Sequence, residues 1–166
     1  IRLTDYAVPD YRVETVALHL DLDPDATTVT SEMTVVAAHD RSAGARPFRL
    51  DGDGLTLDAI ALDGEPLGDN AYTHDDGGLV LHEPPERFTL KTVTTIAPAA
   101  NAALEGLYMS SGKYTTQCEA EGFRRITFLP DRPDVLATYR VTLDADKTTC
   151  PVLLSNGNLI EESDLG

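Results

Sequence analysis

Gln117, Glu119 and Glu121 stand two residues apart in Thr115-Thr116-Gln117-Cys118-Glu119-Ala120-Glu121-Gly122-Phe123-Arg124-Arg125, a stretch that runs between segments reading as β. On an extended backbone, side chains alternate between faces, so the amide and the two acids are expected to point the same way. Such a row is costly to bury without partners. It serves either as a solvated strand face or as a surface prepared for a cationic group, such as the free amino terminus of a peptide.

Two other spacings suggest metal chemistry and fail on their neighbours. His82-Glu83 is followed by Pro84-Pro85-Glu86. A zinc helix of the His-Glu-x-x-His type needs two imidazoles at i and i+4. Here the fifth position is Glu86, and the two prolines forbid the helix. Asp21, Asp23, Asp25 and Glu32 fall at the first, third, fifth and twelfth positions of an EF-hand calcium loop. The sixth position, where that loop needs glycine for its sharp turn, is Ala26, and the fourth is Pro24. With strands expected on both sides, the segment reads as an Asp-rich hairpin tip. No metal site is expected in this chain.

The elements that must position the acidic row are predicted to be strands, because period-two alternation prevails over helical spacing. Val16, Leu18, Leu20 and Leu22 alternate with Ala17, His19 and Asp21, and Val29, Met33 and Val35 resume after the turn residues Asp23-Pro24-Asp25-Ala26. Leu55 to Leu62 reads as a strand ended by Asp63-Gly64. Asp75-Asp76-Gly77-Gly78 separates two short strand-like runs, 71–74 and 79–81. Phe88, Leu90, Thr92, Thr94 and Ile96 alternate again, and 135–144 and 152–154 read as later strands. Helical periodicity is limited to one turn near Ala99 to Leu104. The predicted fold is all-β, an antiparallel β-sandwich or saddle-like domain.

Composition bounds what such a domain does. Its 166 residues suit a single core, given domains of about 100–150 residues. The sequence carries no internal repeat, low-complexity tract or linker; Ser42-Ala43-Gly44-Ala45 is a short loop, so one domain over 1–166 is expected. A formal charge of −15 excludes a nucleic-acid binder, since phosphates recruit Lys and Arg. No apolar run approaches the roughly 20 residues that cross a bilayer, and no secretory signal precedes Ile1. Two cysteines, Cys118 and Cys150, make no disulfide framework and point to a reducing cytoplasm, with Cys118 expected as a small buried thiol. The class that competes with a peptide-handling domain is a stand-alone sandwich that binds protein or carbohydrate. A chain without Trp, and with only six Tyr and four Phe, is poor in the flat aromatics that carbohydrate recognition uses.

Four ordered blocks carry a family resemblance: Asn101-Ala102-Ala103-Leu104-Glu105-Gly106-Leu107-Tyr108, Thr116 to Arg124, Asp131-Arg132-Pro133-Asp134-Val135-Leu136-Ala137, and Leu154-Ser155-Asn156-Gly157-Asn158. Arg2-Leu3-Thr4-Asp5-Tyr6, Pro9-Asp10-Tyr11 and Pro85-Glu86-Arg87-Phe88-Thr89-Leu90 extend it. Together they resemble the amino-terminal domain of bacterial aminopeptidase N, a zinc aminopeptidase of the M1 type. The resemblance implies that zinc and its His-Glu-x-x-His helix belong to a catalytic domain that these residues do not include. There zinc polarises the scissile carbonyl and a glutamate activates water. It further implies that Glu119 binds the free α-amino group of a peptide substrate and that Gln117 lines the pocket for the first side chain. No residue of this chain is expected to be catalytic. Glu121 is expected to pair with Arg124 or Arg125 as scaffold, and Asp131 with Arg132 as a turn-locking ion pair or an interdomain contact. In that family the domain runs on past the Leu-Ser-Asn-Gly-Asn block, so one sheet is expected to lack its last strands here. Its free edge would then be open to self-association.

Overall fold

Alternation in Tyr11–Asp21 (β1) buries Val13, Val16, Leu18 and Leu20 on one face and leaves Ala17, His19 and Asp21 on the other. The computed structural model in which this is seen describes residues 4, 6–38, 40, 42 and 44–165. Arg2, Leu3 and Asp5 of the opening block and Ala43 of the short loop lie outside the described residues. β1 turns back into Thr27–Ala37 (β2) through a tip organised by Asp23, whose Oδ1 accepts the N–H groups of Asp25 at 2.8 Å and Ala26 at 2.9 Å. Glu32 sits well down β2, opposite Ala17, so the four acids of the calcium-like spacing are not assembled.

Two short strands follow in sequence, Phe48–Asp51 (β3) and Thr56–Leu62 (β4), and then Glu65–Pro66 (β5). Tyr72–Asp75 (β6) and Gly78–Leu81 (β7) form the hairpin that the Asp-Asp-Gly-Gly run predicts. Arg87–Ile96 (β8) is the long return strand. Gly106–Ser110 (β9) and Lys113–Gln117 (β10) make a separate hairpin, and Thr138–Asp144 (β11) comes last. The large sheet has six strands in the order β11-β1-β2-β8-β4-β5, and a smaller sheet has the order β3-β7-β6. The predicted helical turn is a 3-10 turn, Pro98–Ala100.

The core lies between these two sheets, as in a sandwich. Val16, Met33, Leu90 and Leu62 stand in one cross-strand row, and Val13, Val35 and Phe88 in another. Phe48, Leu50, Leu79 and Leu81 of the small sheet join them in one buried cluster. The rings of Tyr11, Phe48 and Phe88 meet at centroid distances of 5.1, 5.7 and 6.2 Å, joining the two layers by edge-on and tilted contacts.

The structure adds strands that the sequence reading did not assign, at Phe48–Asp51, Glu65–Pro66 and Gly106–Ser110, and differs from it again near the end of the chain. β11 pairs with β1 in parallel, from Thr15 with Thr138 to Asp21 with Asp144. A parallel partner needs a crossover of at least about a dozen residues. Here everything from β2 to β10 intervenes, so local turn signals cannot reveal the pairing. Residues 152–154 form no strand, and Val152 and Leu154 are exposed. The outer edge of β11 carries no partner strand among the described residues.

Candidate functional site

The hairpin β9–β10 turns at Ser111 and Gly112, both with positive φ (50° and 77°), the backbone that matches hairpin twist. Its last pair is Gln117 opposite Gly106, and β10 ends there. The predicted strand face of Gln117, Glu119 and Glu121 is therefore not formed. The chain leaves the ladder after Gln117 and folds into a tight turn in which Gly122 N–H donates to Cys118 O at 2.9 Å. A 3-10 turn, Phe123–Arg125, follows at once.

This fold needs two glycines in contact. A Cβ on Gly122 would lie 2.5 Å from Gln117 O, 3.0 Å from Cys118 Cα and 3.1 Å from Gly106 N. Gly106, at φ 71°, would place its own Cβ 2.7 Å from Arg125 Cβ and 3.1 Å from Gly122 O. Backbone thus lies directly on backbone, which only residues without side chains permit. Before β9, Asn101 closes the approach loop. Its Nδ2 donates to Glu105 O at 2.7 Å and Leu107 O at 2.9 Å, and its Oδ1 accepts Ala103 N–H at 3.1 Å.

On this turn Gln117 and Glu119 are both exposed, and Gln117 Nε2 donates to the Glu119 carbonyl at 3.2 Å. The other acids nearby are engaged. Glu121 meets Arg124 at 3.4 Å, Glu105 meets Arg125 at 3.3 Å, and Asp53 meets Arg125 at 2.5 Å. Asp131 Oδ2 accepts both the Arg124 backbone N–H at 3.2 Å and Arg124 Nε at 3.0 Å. Arg124 also donates to Asp131 O at 3.1 Å, and Asp131 N–H donates to Asp51 Oδ2 at 3.0 Å. The Glu119 carboxylate makes no hydrogen bond or ion pair among the described residues. Glu121 takes the scaffold partner expected for it. Asp131 and Arg132 do not pair with each other: Arg132 turns to Asp134, at 2.7 and 2.9 Å, and to Ala7 O at 2.9 Å.

Electrostatics follow the packing. Arg124 is mostly shielded, which works against its charge, but the bond to Asp131 and the charges of Asp51, Glu121 and Asp131 outweigh this and raise its pKa. Cys118 is partly buried rather than enclosed, and burial, then the Asp131 carboxylate, push its thiol above the ordinary 9.0. Phe123 anchors the 3-10 turn on β11 through an edge-on contact with Tyr139, centroids 5.9 Å apart. Sequence reasoning singled out Gln117, Glu119, Glu121 and Arg124 but missed Asp51, Asp53 and Asn101. Asp51 and Asp53 meet their partners about seventy to eighty residues away, a separation at which no local pattern survives.

Metal chemistry finds no donors here. Among the described residues, no three His, Cys, Asp or Glu side chains group closely enough to hold an ion. His82 and Glu83 sit in a bend after β7, with His82 Nδ1 at 3.0 Å from Asn70 O, so these residues do not fit zinc.

An all-β sandwich with a locked polar turn at the end of one hairpin is the class of structure to compare. The chain matches the profile of the Peptidase M1 N-terminal domain over residues 9–166, and it belongs to that family. It is 47% identical over 161 residues to aminopeptidase N of Escherichia coli, a match covering 97% of this chain and 18% of that protein. Aminopeptidase N of Caulobacter vibrioides is 45% identical over 167 residues, covering 99% of this chain and 19% of that one. The crystal structure of Legionella pneumophila aminopeptidase A in complex with aspartic acid superposes with a TM-score of 0.89 at 36% identity, over 100% of this chain and 20% of that one. An M1 zinc metallopeptidase from Deinococcus radiodurans, at TM-score 0.65 and 19% identity, shares the fold. The chain spans about a fifth of the length of the curated relatives it matches.

Proposed function

We propose that this chain is the non-catalytic amino-terminal domain of a larger zinc aminopeptidase and that Glu119 helps bind the free α-amino group of the peptide substrate. Gln117 lines the pocket for the first side chain. Zinc and the hydrolytic step belong to the rest of that protein. The observation that carries the reading is the Glu119 carboxylate: among the described residues it is unpartnered, on a turn locked from both sides, while the acids around it are matched to arginines or backbone. The family and the near relatives supply the substrate class.

Exposure of Glu119 sets a condition on this role. Two unit charges about 4 Å apart attract by roughly 1 kcal/mol in open water and roughly 4 kcal/mol at the effective dielectric of a protein surface. A second surface, assigned here to the catalytic domain of the same protein, must therefore close over the turn when substrate binds. An internal peptide bond offers no ammonium to such a site, which would confine cleavage to the first residue. A cytoplasmic setting is part of the proposal and rests on the sparse cysteines; recovery of the protein outside the cytoplasm on cell fractionation would overturn it.

The test is kinetics of the full-length protein on alanine amide, wild type beside Glu119→Gln. The expected result is a KM higher by roughly ten- to a hundredfold with zinc content unchanged, the size of a lost charge-assisted hydrogen bond. Equal kinetics would reduce the acidic turn to a solvated surface.

A further inference from the structure

We infer that the Asp131–Arg124 pair is the positioning device that sets the affinity of the Glu119 turn for an α-ammonium group, without touching the substrate; this rests on the proposed role of Glu119. The turn is held at its first end by the β9–β10 ladder and by the Gln117 amide on Glu119 O. Its second end has no ladder. Besides the Phe123 ring on Tyr139, the Arg125 ion pairs and the Asp53 N–H bond to Arg124 O, it is held by a polar chain that starts on β3, where Asp51 accepts the Asp131 N–H, and passes through the Asp131 carboxylate to Arg124 and on to Glu121.

Three features separate positioning from mere support. Asp131 grips Arg124 at two points of one residue, backbone N–H and Nε, so it fixes both where the 3-10 turn starts and where the guanidinium lies. The pair is shielded, with side-chain exposures of 24% and 13%, so water loosens its bonds little and they hold one geometry. Finally, Arg124 holds Glu121 at 3.4 Å. That contact gives the second acid of the turn, itself 69% exposed, a cationic neighbour, whereas the Glu119 carboxylate has none among the described residues. Loss of the grip would let the turn shift and release Glu121 as a competing charge.

The experiment is a double-mutant cycle in the full-length protein, with KM and kcat measured on alanine amide for wild type, Asp131→Asn, Glu119→Gln and the double variant. Thermal unfolding of each form is followed in parallel. We expect Asp131→Asn to raise KM by about tenfold or more with kcat nearly kept, as loss of binding common to ground state and transition state does. In the Glu119→Gln background that penalty should disappear, because the group being positioned is gone. An equal penalty in both backgrounds, or no penalty in the wild-type background, overturns the inference. If Glu119→Gln alone changes nothing, the anchoring role fails and takes this inference with it. If Glu119→Gln raises KM and Asp131→Asn does not, only the positioning role fails. Should Asp131→Asn not fold, Arg124→Lys replaces it in the cycle: it keeps the charge but lacks the fork, and the same outcomes apply.

Discussion

Met33 in the middle of β2 has no exposed surface and stands in register with Val16 on one side and Leu90 on the other. Glu119, past the end of β10, is exposed, bonded among the described residues through its carbonyl alone, and surrounded by ion pairs. The first environment is built from apolar contact, which is non-directional and accepts many sequences of similar volume. The second is built from directed bonds and from backbone lying on backbone, which accept very few. A change in the sheet centre should cost stability first, and a change in the turn should cost geometry first.

The largest effect expected on either side is Phe88→Ala. The Phe88 ring is buried and touches both Tyr11 and Phe48, so truncation removes two of the three contacts of the ring trio, leaving only that between Tyr11 and Phe48. A loss of about 3–5 kcal/mol is expected from urea unfolding of this chain. A loss below about 1 kcal/mol, the scale of a surface change, would mean that the ring trio is not the centre of the core.

Gly122→Ala probes the other region. Its new Cβ would meet backbone at 2.5 Å, and backbone cannot swing aside as a long side chain can. The expected cost is about 1–3 kcal/mol in stability, as for overpacking elsewhere. In the full-length protein the rise in KM for alanine amide should exceed what that loss of folded protein explains, because Gln117 and Cys118 must move. A variant with an unchanged KM would show that the turn tolerates movement, and the contrast between the two regions would collapse.

The same contrast governs what the sequence could reveal. Strands β1, β2 and β8 were legible because burial on one face imposes alternation, and β6–β7 because Asp-Asp-Gly-Gly suits a tight turn. Even there, position outranked residue type: Ser31 and Thr92 face each other fully buried at places where the pattern leads one to expect Val or Leu. In the turn, the residue types were readable and their arrangement was not. Alternation carried past Gln117 placed three side chains on one face, whereas the chain leaves the ladder there because Gly122 packs onto Gly106 and Gln117 O. The Asp131 partner was read as its neighbour Arg132, yet Arg124 takes it, since the 3-10 turn brings that guanidinium back across seven residues. Proximity of this kind is set by tertiary packing and leaves no periodic trace.

Cys118 gives the finest probe of that packing, with the smallest expected effect. Burial, and then the Asp131 carboxylate, disfavour its thiolate and raise its pKa above the ordinary 9.0. A raised value means that the folded chain holds this proton more tightly than the unfolded one. The resulting stabilisation is complete below 9.0 and is lost as pH rises through the folded value. Labelling by a thiol reagent across pH, in a chain carrying Cys150→Ser so that only one thiol reports, should show a rate midpoint above 9.0. Adding Asp131→Asn should move the midpoint down, because it removes the second cause of the raised value. A midpoint already at 9.0 in the folded chain would mean that neither burial nor the Asp131 charge acts on Cys118, and the locked geometry at Glu119 would lose its nearest independent witness.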